Sequence, residues 1–175
     1  MIRQLFSFSL ALAASGWVSA ASAATQVEVV RGSDAPALER LAADELASQF
    51  RRLFDAQVTV GTQLTDKAQL RVLVGSPQTN PAVRAAVGDG WPQLSDQGLV
   101  IRSLDLATAA GGKLPGLVVG GGSPVATLWA VYELGHHRGI RYLSRGDIFP
   151  DVAAEVDLTG LDMVIEPTLR TRTWR

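Results

Sequence analysis

The chain has 175 residues, enough for one domain, and its 16 lysines and arginines nearly balance its 17 aspartates and glutamates. An even balance without a basic cluster argues against nucleic acid, which is gripped through a positively charged footprint. Apolar residues at 47% and charged ones at 19% supply a core, and the absence of cysteine excludes a disulfide frame, a thiolate metal site and a cysteine nucleophile.

The first segment reads as an address label. Arg3 precedes the apolar run from Leu5 to Ala14, and small residues follow, ending in Ala21-Ser22-Ala23. A short basic end, an apolar centre and an Ala-x-Ala site form the pattern of a secretory signal peptide. A membrane anchor needs about 20 unbroken apolar residues, and this run is shorter and interrupted by serine. Residues 1–23 are therefore expected to be a leader, with the body working in the periplasm or outside the cell.

Beyond it, Gln26-Val27-Glu28-Val29-Val30 alternates polar and apolar and predicts a half-buried strand. Asp34 is placed to cap a helix with Pro36 in its first turn. Leu38, Leu41, Ala42, Leu46, Phe50 and Leu53 then recur at three- and four-residue steps, leaving Glu39, Arg40, Asp44, Arg51 and Arg52 outside the stripe. That is an amphipathic helix of about five turns lying on a sheet. Val58 to Gly61 and the more apolar Leu70 to Gly75 predict strands, the second an inner one. Asn80-Pro81 starts a brief helix ending near Gly88. Further strands are expected at Gly98–Arg102 and Gly116–Gly120, with the Ala- and Gly-rich span between Ala107 and Pro115 as a hairpin loop. Ser123-Pro124 announces a second long helix with Val125, Leu128, Trp129, Tyr132 and Leu134 inward, and Gly139 stands where a left-handed terminating residue is wanted. Ile140 to Leu143 is extended and Ile148-Phe149 is a candidate short strand. The implied fold class is an α/β (α+β) sandwich, with a mixed sheet of about five strands and two long amphipathic helices.

Motifs for chemistry are sparse. Gly120-Gly121-Gly122 leads from a strand into a helix N-terminus but lacks both the P-loop Lys and the dinucleotide spacing, which favours a tight corner. His136 and His137 are adjacent and so point about 100° apart on a helix, the wrong geometry for sharing a metal. Glu133 precedes His136 by one turn, without a third ligand. Asp44 and Glu45 diverge, and Asp147, Asp151, Glu155 and Asp157 fall in an irregular stretch, so no facing pair of carboxylates is indicated. No Gly-x-Ser-x-Gly elbow is present. The sequence thus predicts no catalytic residue, no metal site and no cofactor. Residues 166–175 alternate like the opening of a strand, the pattern expected where a further domain begins.

The order of short motifs is more specific than any one of them. Leu41-Ala42-Ala43-Asp44-Glu45-Leu46, Leu73-Val74-Gly75-Ser76-Pro77, Gly98-Leu99-Val100-Ile101, Leu117-Val118-Val119-Gly120-Gly121, Ala126 to Leu134 and Gly139-Ile140-Arg141-Tyr142 succeed one another along Gln26 to Pro150. This order resembles the N-terminal accessory domain of secreted glycoside hydrolases, the family 20 β-N-acetylhexosaminidases and the xylan α-glucuronidases. The resemblance implies a zincin-like fold of the β-hexosaminidase domain 2 type, without metal or catalytic residues, packed in cis against a catalytic (β/α)8 barrel acting on an oligo- or polysaccharide. The expected division is a leader at 1–23, the accessory domain at 24–150, and a linker plus the start of the barrel at 151–175. In such a barrel Arg170, Arg172 and Trp174 would stand near the sugar, although this chain has Arg-Thr where family 20 usually has Arg-Gly. A plain strand with solvent-facing arginines is the alternative for these residues. A free-standing periplasmic carbohydrate-binding or protein-interaction module is the alternative for the whole chain.

Overall fold

Val, Ile and Leu dominate three short runs that have charge or turn residues at both ends, and these runs form the middle of a sheet. The computed structural model describes residues 24–65, 67–108, 111–151 and 156–168; the expected leader lies outside them. Among the described residues the elements are β1 (Gln26–Val30), α1 (Ala37–Phe54), β2 (Gln57–Gly61), β3 (Leu70–Val74), α2 (Pro81–Val87), β4 (Leu99–Ala107), β5 (Lys113–Gly121), α3 (Pro124–His137) and β6 (Asp162–Ile165). The strands make one sheet in the order β2-β1-β3-β5-β4-β6. β2, β1, β3 and β5 are mutually parallel, while β4 runs antiparallel to β5 and β6 antiparallel to β4. The α/β class and the mixed sheet match the sequence expectation; six strands and three helices stand where about five strands and two long helices were expected.

Alternation along the strands sorts side chains between two cores. Val27, Val29, Val72, Val74, Ile101, Leu117 and Val119 face α1 and α3 in the larger one, while Val30, Leu73, Leu106 and Val118 pack with Val83 of α2 in the smaller. α1 and α3 lie against each other on the first face. β1 is not half-buried as its pattern predicts. It lies between β2 and β3 with both faces covered, so Glu28 is 3% exposed and must be paired. Its partner is Arg71 on the neighbouring strand, whose Nε donates to Glu28 Oε2 at 2.6 Å. Thr65 N–H donates to Glu28 Oε1 at 3.0 Å, and Arg71 Nη2 donates to the Thr65 carbonyl. The pair thereby straps the β2–β3 connection onto the sheet.

The helices depart from their sequence patterns at particular residues. Asp34 does not cap α1; the helix begins at Ala37, and Asp34 is exposed with its carboxylate accepting only from Ser33. Pro36 fixes the entry instead, its carbonyl accepting from Glu39 and Arg40. The buried stripe is rotated from the expected one. Leu38 and Leu41 are 39% and 42% exposed, whereas Glu39 is 1% exposed alongside Ala42, Ala43, Leu46 and Phe50. In α3 the buried residues are the small ones, Ala126, Thr127, Ala130 and Gly135, with Val131 and Leu134; Trp129 is 42% exposed. Close approach is the cause: a Cβ on Gly121 of β5 would lie 2.6 Å from Cβ of Ala126, so no large side chain fits at that contact.

Caps expected for the other helices are in place. Asn80 accepts from Ala82 N–H at 3.0 Å and Ser123 from Ala126 N–H at 3.2 Å, each followed by proline at the first helical position. Gly139 has φ +96, and the Ile140 and Gly139 N–H groups return to the Gly135 and His136 carbonyls, the paired bonds that close a helix. The β4–β5 hairpin is longer than predicted, because Asp105↔Pro115, Leu106↔Leu114 and Ala107↔Lys113 continue the ladder where a loop was expected. Leu104 and Leu106 join the smaller core there. Ile140–Leu143 and Ile148-Phe149 reduce to a single bridge between Arg141 and Ile148. β6 lies beyond residue 150, in the stretch read as linker, and extends the sheet by pairing with Leu99–Arg102. No described helix is long and apolar enough to cross a membrane.

Candidate functional site

In an open sheet with parallel strands, ligands sit at the carboxyl ends of strands whose connections leave in different directions. β1 and β5 lead to α1 and α3 on one face, while β3 between them leads to α2 on the other. The carboxyl ends of β1, β3 and β5 therefore frame two crevices, one on each side of β3.

The β1–β3 crevice is closed. Asn80 lies across it, its amide donating to the carbonyls of Val30 at 3.0 Å and Val74 at 2.8 Å. A Cβ on Gly32 would stand 1.9 Å from the Thr79 carbonyl, so the two loops touch backbone to backbone. Beneath them lies Glu39. Thr79 Oγ1 donates to Glu39 Oε1 at 2.9 Å and accepts from Ser76 N–H at 3.0 Å. Glu39 Oε2 is buried with no hydrogen-bonding partner among the described residues, 3.1 Å from where a Cβ on Gly75 would be. Gly75, at φ +117, leaves room for it. Burial disfavours the charged form and raises the Glu39 pKa above the ordinary glutamate range, against a smaller lowering by the Thr79 hydroxyl.

The β3–β5 crevice is open at its outer end. Gly120, Gly121 and Gly122 let three things approach: the Gly75 carbonyl at 2.1 Å, Ala126, and the Ser95 carbonyl at 1.9 Å from their respective added Cβ positions. The run is a tight corner, as the sequence favours, and not a phosphate cradle. Ser123 Oγ donates to the Asp96 carbonyl and caps Ala126, so the start of α3 is already occupied. Trp91 is half-buried with its ring end over Gly120. It lines a hollow of about 460 Å³ with Gln78, Pro92, Gln93, Leu94, Gly121 and Gly122.

A larger recess of about 500 Å³ opens at the amino ends of β1 and β3, with Asp105 and Asp157 in its wall. Asp157 accepts from the hydroxyl and N–H of Thr159, which hold its carboxyl below the usual range. At the end of α3, Tyr132 and Tyr142 meet edge to face at 5.0 Å, and Gln49 Nε2 donates to Tyr142 Oη at 3.0 Å. Burial pushes both phenols up, aided by the Glu45 and Asp147 carboxylates, so they stay protonated. His136 and His137 are exposed in the last turn of α3. No three metal-ligating side chains gather among the described residues. Arg170, Arg172 and Trp174 lie outside the described residues.

Sequence reasoning missed Glu39, Trp91 and the Glu28–Arg71 pair. Half a signal exists for the last: Arg71 stands in an otherwise apolar run, whereas Glu28 sits in an alternating one that reads as half-buried. None marks Glu39, which sits one position from a stripe of leucines.

No protein-family model matches the chain, and no curated protein is similar to it in sequence. Among solved structures it is similar to part of a family GH115 4-O-methyl-α-glucuronidase, BtGH115A, which has specificity for decorated arabinogalactans. The identity is 16% and the TM-score 0.49, over 67% of this chain and 14% of that one. A likeness this distant carries no functional argument.

Proposed function

We propose that the chain is the non-catalytic N-terminal part of an exported glycoside hydrolase, a scaffold for a catalytic (β/α)8 barrel that follows it. The ordered motifs from Gln26 to Pro150 support this reading, as does the signal-peptide pattern of residues 1–23, which directs the body to the periplasm or the medium. The observation that carries it is the outer side of the helix layer. Leu38 and Leu41 in the first turns of α1 and Trp129 in α3 are each about two-fifths exposed. Leu38 and Leu41 are three residues apart on one face of α1, and apolar side chains left exposed on the helix layer are of the kind that a covering domain would bury.

The test is to sequence the coding region downstream of the codon for Arg175. The expected result is an open frame with alternating strand and helix patterns and a pair of carboxylates at strand ends. A stop codon directly after Arg175, with no barrel in a shifted frame, would overturn the scaffold reading. The second reading, a free-standing carbohydrate-binding module, is favoured by the hollow beside Trp91.

A further inference from the structure

We propose that the hollow between the carboxyl ends of β3 and β5 is a subsite for an uncharged sugar ring, stacked on Trp91 and hydrogen-bonded by the amides of Gln78 and Gln93. The inference rests on the reading of this chain as part of a carbohydrate-active protein and names the place and the ligand chemistry. Three observations carry it.

The first is position. The hollow lies at a switch point of the parallel strands, and its partner crevice across β3 is sealed by Asn80 and Glu39. The second is charge. None of its lining side chains is ionisable, and the nearby helix start is taken by Ser123 and crowded by the carbonyls of Ser95 and Asp96. A phosphate or carboxylate finds no cation and no free N–H cluster there. The third is composition. Trp91 is half-buried against the smaller core, with the end of its ring packed over Gly120, so part of the ring is held by the sheet before a ligand arrives. Gln78 and Gln93 are exposed in the lining of the same hollow, and each amide offers both a donor and an acceptor, as a sugar hydroxyl does. At about 460 Å³ the space falls within the size of small-ligand sites.

The test is a nuclear magnetic resonance titration of the whole chain with xylotetraose, cellotetraose and N,N′-diacetylchitobiose. The Trp91 indole N–H and the Gln78 and Gln93 amide signals are assigned through W91F, Q78A and Q93A. At least one sugar is expected to shift these three signals saturably. The Q78A/Q93A double variant, which changes only exposed side chains, is expected to bind roughly tenfold more weakly with unchanged melting. W129F, at an exposed position of α3 that does not line the hollow, is expected to bind as the parent does. Silence at Trp91 and both glutamines with all three sugars overturns the proposal, and so does undiminished affinity in the double variant. Sugar-dependent shifts elsewhere on the chain would sink this subsite while leaving a carbohydrate role standing. The reading frame beyond Arg175 tests the scaffold separately.

Discussion

Arg71 and Glu28 are 3% exposed on adjacent inner strands, and removing one member leaves the other charge in the smaller core. In Arg71→Met, Glu28 keeps only the Thr65 N–H bond at 3.0 Å as a partner, and the Thr65 carbonyl loses its donor. Breaking a buried pair on one side costs about 3–5 kcal/mol. In a domain of this size each kcal/mol moves the melting temperature by about 2–4 °C, so the variant should melt roughly 6–20 °C lower. The double change Glu28→Leu with Arg71→Met removes both charges, which by itself is neutral or stabilising by about 1–4 kcal/mol. Against that stand the N–H and carbonyl of Thr65, which lose their partners but belong to an exposed residue where water can replace them. The double variant should therefore melt above the single one. Far-ultraviolet circular dichroism melts and urea titrations of the three proteins measure both differences. A single variant within about 1 kcal/mol of the parent, the range of an exposed pair, would show that water reaches the pair and would refute the argument.

Three more outcomes arise from other contacts. Because the folded pKa of Glu39 is raised, the folded state holds its proton more tightly than the unfolded chain. That contribution is complete below the ordinary glutamate pKa and is lost as pH rises through the folded value, so melting should fall as pH is raised from below the ordinary glutamate range through that value. Glu39→Gln should flatten that slope, and an equal slope in parent and variant would count against a buried acid. Gly135→Ala sets a Cβ 1.9 Å from Tyr142 Oη and 2.8 Å from Gln49 Oε1 and should cost about 1–3 kcal/mol by urea denaturation. Tyr142→Phe in the same background should recover part of the loss. Ser123→Ala removes the α3 cap and should cost about 1 kcal/mol, with Ser123→Thr close to the parent.

The features legible in the sequence were those that local chemistry dictates. Proline after serine or asparagine marked the starts of α2 and α3, and Gly139 marked the end of α3, because caps depend on a few adjacent residues. The features that escaped depend on neighbours distant in the chain. The alternation in β1 carries no sign that strands flank it on both sides, so a buried Glu28 looked like a solvent-facing one. Three-residue steps placed Leu38 and Leu41 inward, but Pro36 delays the helix start and the loop at Gly75–Asn80 offers Glu39 its only described partner, Thr79. In α3 a search for large apolar residues picked Trp129, whereas contact with glycines of β5 selects small ones. β6 escaped because four residues with one half-buried side chain have no period to detect. Trp91 lies in irregular backbone, and its contact at Gly120 joins residues far apart in the chain, which no local pattern announces.

The two crevices beside β3 are linked through one short segment. Gly75 to Asn80 forms the wall of both: Thr79 and Asn80 reach into the sealed side, while Gln78 lines the open one. Glu39 meets this wall through the Thr79 hydroxyl, and its burial raises its pKa and so favours the neutral acid. A neutral acid can sit under the backbone at Gly75 without a cation, which the loop does not supply. Deprotonation would leave an uncompensated charge there, and the cheapest relief is for the segment to lift and admit water. Amide exchange at Ser76 to Asn80 should quicken with pH more steeply than base catalysis alone requires, and Glu39→Gln should remove the excess.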